Sequence, residues 1–468
     1  MAERAERRVG GALALVGSEM DVPLLTGGSR RYVNLDYAAS TPALVAVADA
    51  VDRFLPYYSS VHRGAGFKSQ VSTAAYEGAR ERVAEFFGGR PGDVVVFTRN
   101  TTDAVNLLAA SLPRSTSVVT FCSEHHADLL PWRREGLRLS CLPVPGDAAE
   151  AVRALTAALS GSEPVDLVAV TGASNVTGEV WPVAELARVA HQFGARLLVD
   201  AAQIAPHMAV SIAELDADYL VASGHKIYAP FGVGVLLGRA DWLARGEPFL
   251  RGGGAVDFVT DTTVQWASVP ARQEAGSPNV VGAVALAAAV SELDSYGMDR
   301  VWAEEQELAS YARDALAGMP GVTLYSLWPD ASVRTGVMSF NVDGSEHSLV
   351  AAALSAEYGI GVRHGCFCAH PLMIHLLSVE AKDVEQVRRR LAAGDHAGVP
   401  GAVRLSLGLG STRDDVDYFL ESLERLVRHG PALGYSVDPA SGDYVPDSDP
   451  RGALGVAREL VSATGAAR

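Results

Sequence analysis

Lys226 closes the run Ser223-Gly224-His225-Lys226, and Asp200 opens the earlier run Asp200-Ala201-Ala202-Gln203. Each run follows a short apolar segment of strand length, at 219–223 and 196–200. A lysine just past one buried strand, with an acid at the end of another, is what an enzyme needs to hold pyridoxal phosphate (PLP). The amine condenses with the aldehyde as a Schiff base, and the carboxylate keeps the pyridine nitrogen protonated so that the ring withdraws electrons. The blander readings are a surface lysine at a strand end and an aspartate that caps a helix starting at Ala201.

Those two residues need a scaffold that brings strand ends together. Apolar runs at 93–97, 117–121, 166–171, 196–200, 219–223 and 232–237 alternate with Ala- and Glu-rich helical patterns such as 73–87 and 183–193. The alternation predicts an α/β fold with a mainly parallel sheet covered by helices, whose ligands gather beyond the carboxyl ends of the strands. After residue 290 the pattern changes to a long helix at 300–318 and short strands near 337–342, 361–364 and 403–407, which predicts a smaller α+β domain. The expected organisation is an N-terminal extension at 1–30, a large cofactor-binding α/β domain at 31–289 whose first residues pack with the small domain, an α+β domain at 290–429 that carries a cysteine loop, and a polar tail with a final short helix at 430–468. Residues 392–401 read as a surface loop.

Composition narrows the function. Of 468 residues 48% are hydrophobic, enough for a large buried core. The formal net charge of −16 is spread along the chain without a basic stripe, which argues against nucleic acid as a partner. The longest apolar stretch, 280–290, is shorter than the roughly 18 residues of a membrane span. Arg4, Arg7 and Arg8 before a short apolar run imitate a signal peptide, but Glu3 and Glu6 dilute the charge and Glu19 and Asp21 follow at once, so a cytoplasmic protein free of the membrane is expected. Four cysteines (Cys122, Cys141, Cys366, Cys368) are too few and too unevenly spaced for a disulfide framework, which leaves room for a chemical role for at least one. No internal repeat, P-loop or GxGxxG signature is present.

Eight motifs occur in a fixed order: Val61-His62-Arg63-Gly64, Thr101-Thr102-Asp103, Glu124-His125-His126-Ala127, Ser174-Asn175, Asp200-Ala201-Ala202-Gln203, Ser223-Gly224-His225-Lys226, Glu274-Ala275-Gly276-Ser277-Pro278-Asn279, and a late loop around Cys368. In that order they resemble the class V aminotransferase-type, fold-type I PLP enzymes. Within that group the sequence is most similar, over residues 32–426, to the SufS-like cysteine desulfurases and selenocysteine lyases.

The resemblance implies roles for individual residues. Lys226 carries the cofactor and moves protons once substrate displaces it, Asp200 pairs with the pyridinium nitrogen, and Gln203 donates to the phenolic oxygen. His125 stacks on the ring and assists proton transfer, with His126 having the weaker claim to that role. Thr102, at the opening of a helix whose free N–H groups favour an anion, holds the phosphate together with Ser223 and His225; the alternative for Thr102 is a cap of its own helix. Ser277 reaches the phosphate from a neighbouring subunit, so a homodimer with a shared active site is implied. Arg404 grips the carboxylate of a small amino-acid substrate, L-cysteine or an analogue, with the bidentate geometry that suits guanidinium. Asn175 contacts ring and carboxylate, Arg363 orients substrate, and His62 and Arg63 sit at the dimer-shared mouth.

The run Arg363-His364-Gly365-Cys366-Phe367-Cys368-Ala369-His370-Pro371 decides the reaction. By the resemblance, Cys368 is the nucleophile that takes the substrate's sulfur as a persulfide, releases alanine and passes the sulfur to an acceptor protein. Cys366 and Phe367 stand where the SufS-like pattern has two histidines, and Cys-Phe-Cys is similar to the PLP domain of molybdenum cofactor sulfurases. That departure leaves the acceptor open. Cys366 is a second relay thiol, a disulfide partner of Cys368 or a small buried residue, the last being favoured. If His364, Cys366, Cys368 and His370 alternated along one strand they would share a face, yet zinc ligands are usually spaced more widely, and the His125-His126 pair has no acid or cysteine at ligand spacing, so no metal is expected. The alternative functions are a PLP-dependent carbon–sulfur β-lyase, and an epimerase or aminotransferase of the same fold, none of which needs the thiol.

Overall fold

The computed structural model of the chain describes residues 8–9 and 12–462. Residues 1–7 and 10–11 of the expected extension, and 463–468 of the expected tail, lie outside the described residues. The main sheet has seven strands: β1 (Asp93–Thr98), β2 (Ser117–Phe121), β3 (Arg138–Leu142), β4 (Leu167–Thr171), β5 (Arg196–Asp200), β6 (Tyr219–Ser223) and β7 (Gly234–Arg239). They lie in the order β1-β7-β6-β5-β4-β2-β3, all pairs parallel except the two made by β7. Strands β2, β4 and β6 are buried along their whole length, as continuous apolar runs covered on both faces must be.

The sheet brings the expected site residues to the carboxyl ends of its central strands. Asp200 ends β5 and Ser223 ends the parallel neighbour β6, with Asp200 opposite Val221 in the register. A 3-10 turn, Gly224–Lys226, carries the chain from β6 to Lys226. Helix α1 (Thr101–Ser111) starts beside β7, and the approach is so close that a Cβ on Gly234 would lie 2.5 Å from Asn100 Cα. Only glycine fits there.

A second, antiparallel sheet of four strands follows: β8 (Val322–Leu324), β9 (Val337–Val342), β10 (Arg363–Gly365) and β11 (Ala402–Ser406), in the order β8-β9-β11-β10. It forms its own apolar core with helices Met298–Ala317, His347–Tyr358 and Arg413–His429, in which Phe340 and Phe419 meet edge to face. Val33–Asn34 pairs with Ile360–Gly361, and Asp36 bridges to Ser406, so the early chain runs along this sheet. The apolar stretch 280–290 belongs to helix Val280–Tyr296, buried against helices Val45–Phe54 and Phe67–Phe86. Among the described residues no single helix is long and apolar enough to cross a membrane.

β3 and the tail depart from the sequence expectation. β3 is a half-exposed edge strand with polar residues on its outer positions, too short to show a period. The tail beyond residue 430 is tethered: Tyr435–Val437 and Tyr444–Pro446 form a hairpin, and the Glu357 carboxylate accepts from Ala432 N–H, Leu433 N–H and Tyr435 Oη.

Candidate active site

A cavity of about 360 Å³ opens at the carboxyl ends of β4, β5 and β6. Lys226, Asp200, Gln203, His125, Thr102, Ser223, His225, Asn175, Arg363, Arg404 and Cys368, all expected at the site, line it together.

Burial sets the charge state of Lys226. Loss of water pulls its ammonium pKa from 10.5 down to about 8, with Asp200 opposing the shift. Asp200 is 5% exposed and receives the Ala202 N–H on Oδ1 (2.9 Å), but the residues after it form a turn and no helix, so the cap reading does not hold. His125 Nδ1 accepts the Ala127 N–H (3.0 Å), which places the ring proton on Nε2. Burial first, then the Lys226 charge, holds the His125 pKa down at about 3, so its ring stays neutral at physiological pH.

At the other end of the cavity α1 presents its N-terminus. The cap is Asn100, whose Oδ1 accepts from Asp103 N–H (2.9 Å), so Thr102 is not the cap and stands exposed in the first turn. Ser223 Oγ accepts the Thr101 N–H and shares a hydrogen bond with Thr101 Oγ1, both at 2.8 Å. Burial and Lys226 lower the His225 pKa to about 4. Gln203 donates from Nε2 to the Ala38 carbonyl (2.8 Å), and its Oε1 is buried without a partner.

Arg404, on β11, is 3% exposed. One guanidinium nitrogen donates to the Asn175 carbonyl and another to Asp36 Oδ1, both at 3.0 Å, while Nε is buried and unpartnered. Asp36 also faces Arg363 at 3.9 Å. Asp36 is a partner of Arg404 that the sequence did not reveal, since the pairing depends on a bridge to a strand near the other end of the chain. Asn100 was findable, because an asparagine before Thr-Thr-Asp is a cap signal.

The cysteine loop is not a strand. β10 ends at Gly365, and Phe367 and Cys368 both adopt left-handed backbone, φ 53° and 55°, which costs of order 1–3 kcal/mol per residue. Two hydrogen bonds fix the turn: Asn175 Nδ2 donates to the Phe367 carbonyl (2.7 Å), and the His126 N–H donates to the Cys368 carbonyl (2.8 Å). His126 also stacks on His370, whose N–H it accepts at Nε2 (3.2 Å), so it clamps the loop. The alternating face considered for His364, Cys366, Cys368 and His370 therefore does not exist. Cys368 is exposed at the cavity, whereas Cys366 packs against the larger apolar core. The remaining cysteines, Cys122 just past the end of β2 and Cys141 in β3, are paired as a disulfide, a pairing the sequence reading did not include.

His62, Arg63 and Ser277 are not brought to this cavity. They line a second one of about 700 Å³ with Glu77, Arg80 and Glu274. Beside it the hairpin Val256–Val259 and Val264–Trp266 exposes Phe258, Val259 and Val264, and Arg63 donates to the Val256 carbonyl (3.2 Å).

A PLP molecule fits the first cavity: its volume is that of a small-molecule site, its wall holds an amine of lowered pKa facing a buried acid, and Gln203 Oε1 and Arg404 Nε are buried polar atoms without partners. The chain is similar to known proteins along most of its length. The family model Aminotransferase class-V matches residues 33–419. A cysteine desulfurase of Dickeya dadantii is 38% identical over 84% of this chain and 92% of its own length, and a probable cysteine desulfurase of Halalkalibacterium halodurans is 36% identical with the same two coverages. The apo structure of a cysteine desulfurase from Thermococcus onnurineus superposes with a TM-score of 0.75 at 33% identity, covering 89% of this chain and 99% of that one.

Proposed function

The chain belongs to the class-V aminotransferase family, among its cysteine desulfurases, and from that footing we propose that it converts L-cysteine to L-alanine with PLP held by Lys226 and the sulfur taken as a persulfide on Cys368. The observation that carries the reading is the presence of Lys226, Arg404 and Cys368 on one cavity wall.

Bound PLP supplies the electron withdrawal that labilises bonds at the substrate's α-carbon, and it would be held by Lys226, Asp200, Gln203 and His125, with Thr102, Ser223 and His225 toward its phosphate. Each of the chain's own residues then has a task. Arg404, fixed by Asp36 and the Asn175 carbonyl, orients the substrate carboxylate, and Arg363 adds a second positive charge at the entrance. Lys226, with its pKa lowered to about 8, takes and returns a proton at the α-carbon. Neutral His125 offers its Nε2 proton into the cavity. Cys368 attacks as a thiolate: a sulfur–sulfur bond forms, the sulfur–carbon bond breaks, and the electron pair stays with the carbon skeleton, which is protonated and leaves as alanine. The persulfide faces solvent, where a sulfur-acceptor protein can reach it.

The reading includes a homodimer. His62, Arg63 and Ser277 gather in a second cavity beside the exposed apolar hairpin, as residues do that complete the site of a neighbouring copy.

The test is to incubate PLP-loaded protein with L-cysteine and a reductant and to measure alanine, pyruvate and sulfide together, with Cys368→Ala alongside. Alanine equal to sulfide, abolished by the substitution, supports the desulfurase. Pyruvate with sulfide, indifferent to the substitution, moves the reaction to a β-lyase.

A further inference from the structure

Behind the cavity lie two acids that the chemistry above does not use. Glu124 and Asp128 are 0% exposed and flank the turn that holds His125. Thr171 N–H donates to Glu124 Oε1 (3.1 Å), Trp132 Nε1 donates to Asp128 Oδ1 (3.1 Å), and Ala202 N–H donates to Asp200 Oδ1. The second oxygens, Glu124 Oε2 and Asp128 Oδ2, are buried with no hydrogen-bond partner.

Thr171, whose N–H donates to Glu124, stands opposite Asp200 in the register of β4 and β5, which sets the Glu124 carboxyl beside that strand end; the charges that face it are Asp128 and Asp200, and the charge that faces Asp128 is Asp200. Lys226 acts on Asp200. Three ionised carboxylates so placed would repel one another where no water screens them, and one cation compensates one of them. A carboxylate oxygen with no donor facing it is costly, but the same oxygen carrying a proton becomes a donor toward a neighbouring carboxylate. Burial, and then the neighbouring acids, push the pKa of both Glu124 and Asp128 well up, in agreement with that assignment.

We propose that Glu124 and Asp128 are positioning residues held as uncharged acids behind Asp200, so that Asp200 is the one ionised carboxylate of the trio and the one that faces the protonated ring nitrogen of the cofactor. The proposal rests on the reading of the cavity as a PLP site. It explains why the turn that aims His125 is built from two buried acids: their O–H groups donate toward the carboxylate that must stay charged.

Infrared spectra of the holoenzyme at neutral pH test it. The carbonyl band of protonated carboxyl groups is expected in the parent protein, and Glu124→Gln and Asp128→Asn are each expected to remove part of it while leaving the visible spectrum of bound PLP and its pH titration unchanged. Glu124→Leu and Asp128→Leu, which remove the donor, are expected to shift that titration by about one pH unit and to weaken PLP binding about tenfold, with the amide variants restoring both. Absence of the carboxyl band, or amide variants that shift the titration as far as the leucine variants, overturns the proposal. If the leucine variants do not fold, the band and its loss in the amide variants still decide. Failure to take up PLP at all would sink the cofactor reading alone, because the carboxyl band is also read on the apoprotein.

Discussion

Asn175 and Phe367 are joined by a 2.7 Å hydrogen bond from the Asn175 side-chain amide to the Phe367 carbonyl, which ties the turn after β4 to the loop that carries Cys368. The bond holds a left-handed residue pair that relaxes when released. Asn175→Ala is expected to slow alanine formation in a single turnover by about tenfold and to cost about 1–2 kcal/mol of stability. Asn175→Asp is expected to be worse than alanine, because an acceptor-only oxygen then faces the Phe367 carbonyl. Quenched-flow alanine measurements and thermal melts check both.

Asp36 binds one guanidinium nitrogen of Arg404 inside the cavity wall. Removing it leaves a buried cation without its counter-charge, a loss of about 3 kcal/mol by the usual cost of breaking such pairs. Asp36→Ala is therefore expected to raise the KM for cysteine about tenfold with a smaller effect on kcat, since substrate orientation suffers before chemistry. Steady-state kinetics of Asp36→Ala and Asp36→Asn check it; the amide retains the geometry and should lose less.

How much of this was legible in the sequence follows burial. The runs at 117–121, 196–200 and 219–223 match β2, β5 and β6, because strands covered on both faces read as uninterrupted apolar stretches. The edge strand β3 and the hairpin after residue 430 escaped, being short and partly polar. At the site, Lys226 and Asp200 announced themselves by position after such strands. Asp36 could not, since it gains its partner through a parallel bridge to Ser406 that no local pattern encodes. His126 escaped for a related reason: its clamp on Cys368 and His370 exists only once two distant segments meet.

Lys226 fixes the pH behaviour of the cofactor-free protein. Its folded pKa of about 8 lies below the ordinary lysine value of 10.5, so between those values the unfolded chain binds more protons than the folded one. This group therefore adds stability as pH rises from 8 to 10.5, and its penalty is fully present below 8. The same shift predicts that the rate of PLP capture by apoprotein rises through pH 8 and then levels off, whereas an ordinary lysine would still be gaining at pH 10. Stopped-flow absorbance of PLP uptake against pH checks the midpoint, and Lys226→Ala should show no such phase.

Cys366 and Cys368 separate by environment, and their substitutions should separate too. Cys368 is exposed at the cavity, while Cys366 packs against the apolar core that also receives Phe367, Ala369 and Leu372. A thiol in that position contributes mainly volume, so Cys366→Ala is expected to cost about 1 kcal/mol of stability and to leave alanine and sulfide within about twofold of the parent. Cys368→Ala is expected to abolish both products. A relay role for Cys366 makes a different prediction: alanine formation in the first turnover would be intact, while sulfur transfer to a protein acceptor would stop. Measuring first-turnover alanine and acceptor persulfide in Cys366→Ala decides between volume and relay, because a packing residue leaves the ratio of the two products unchanged.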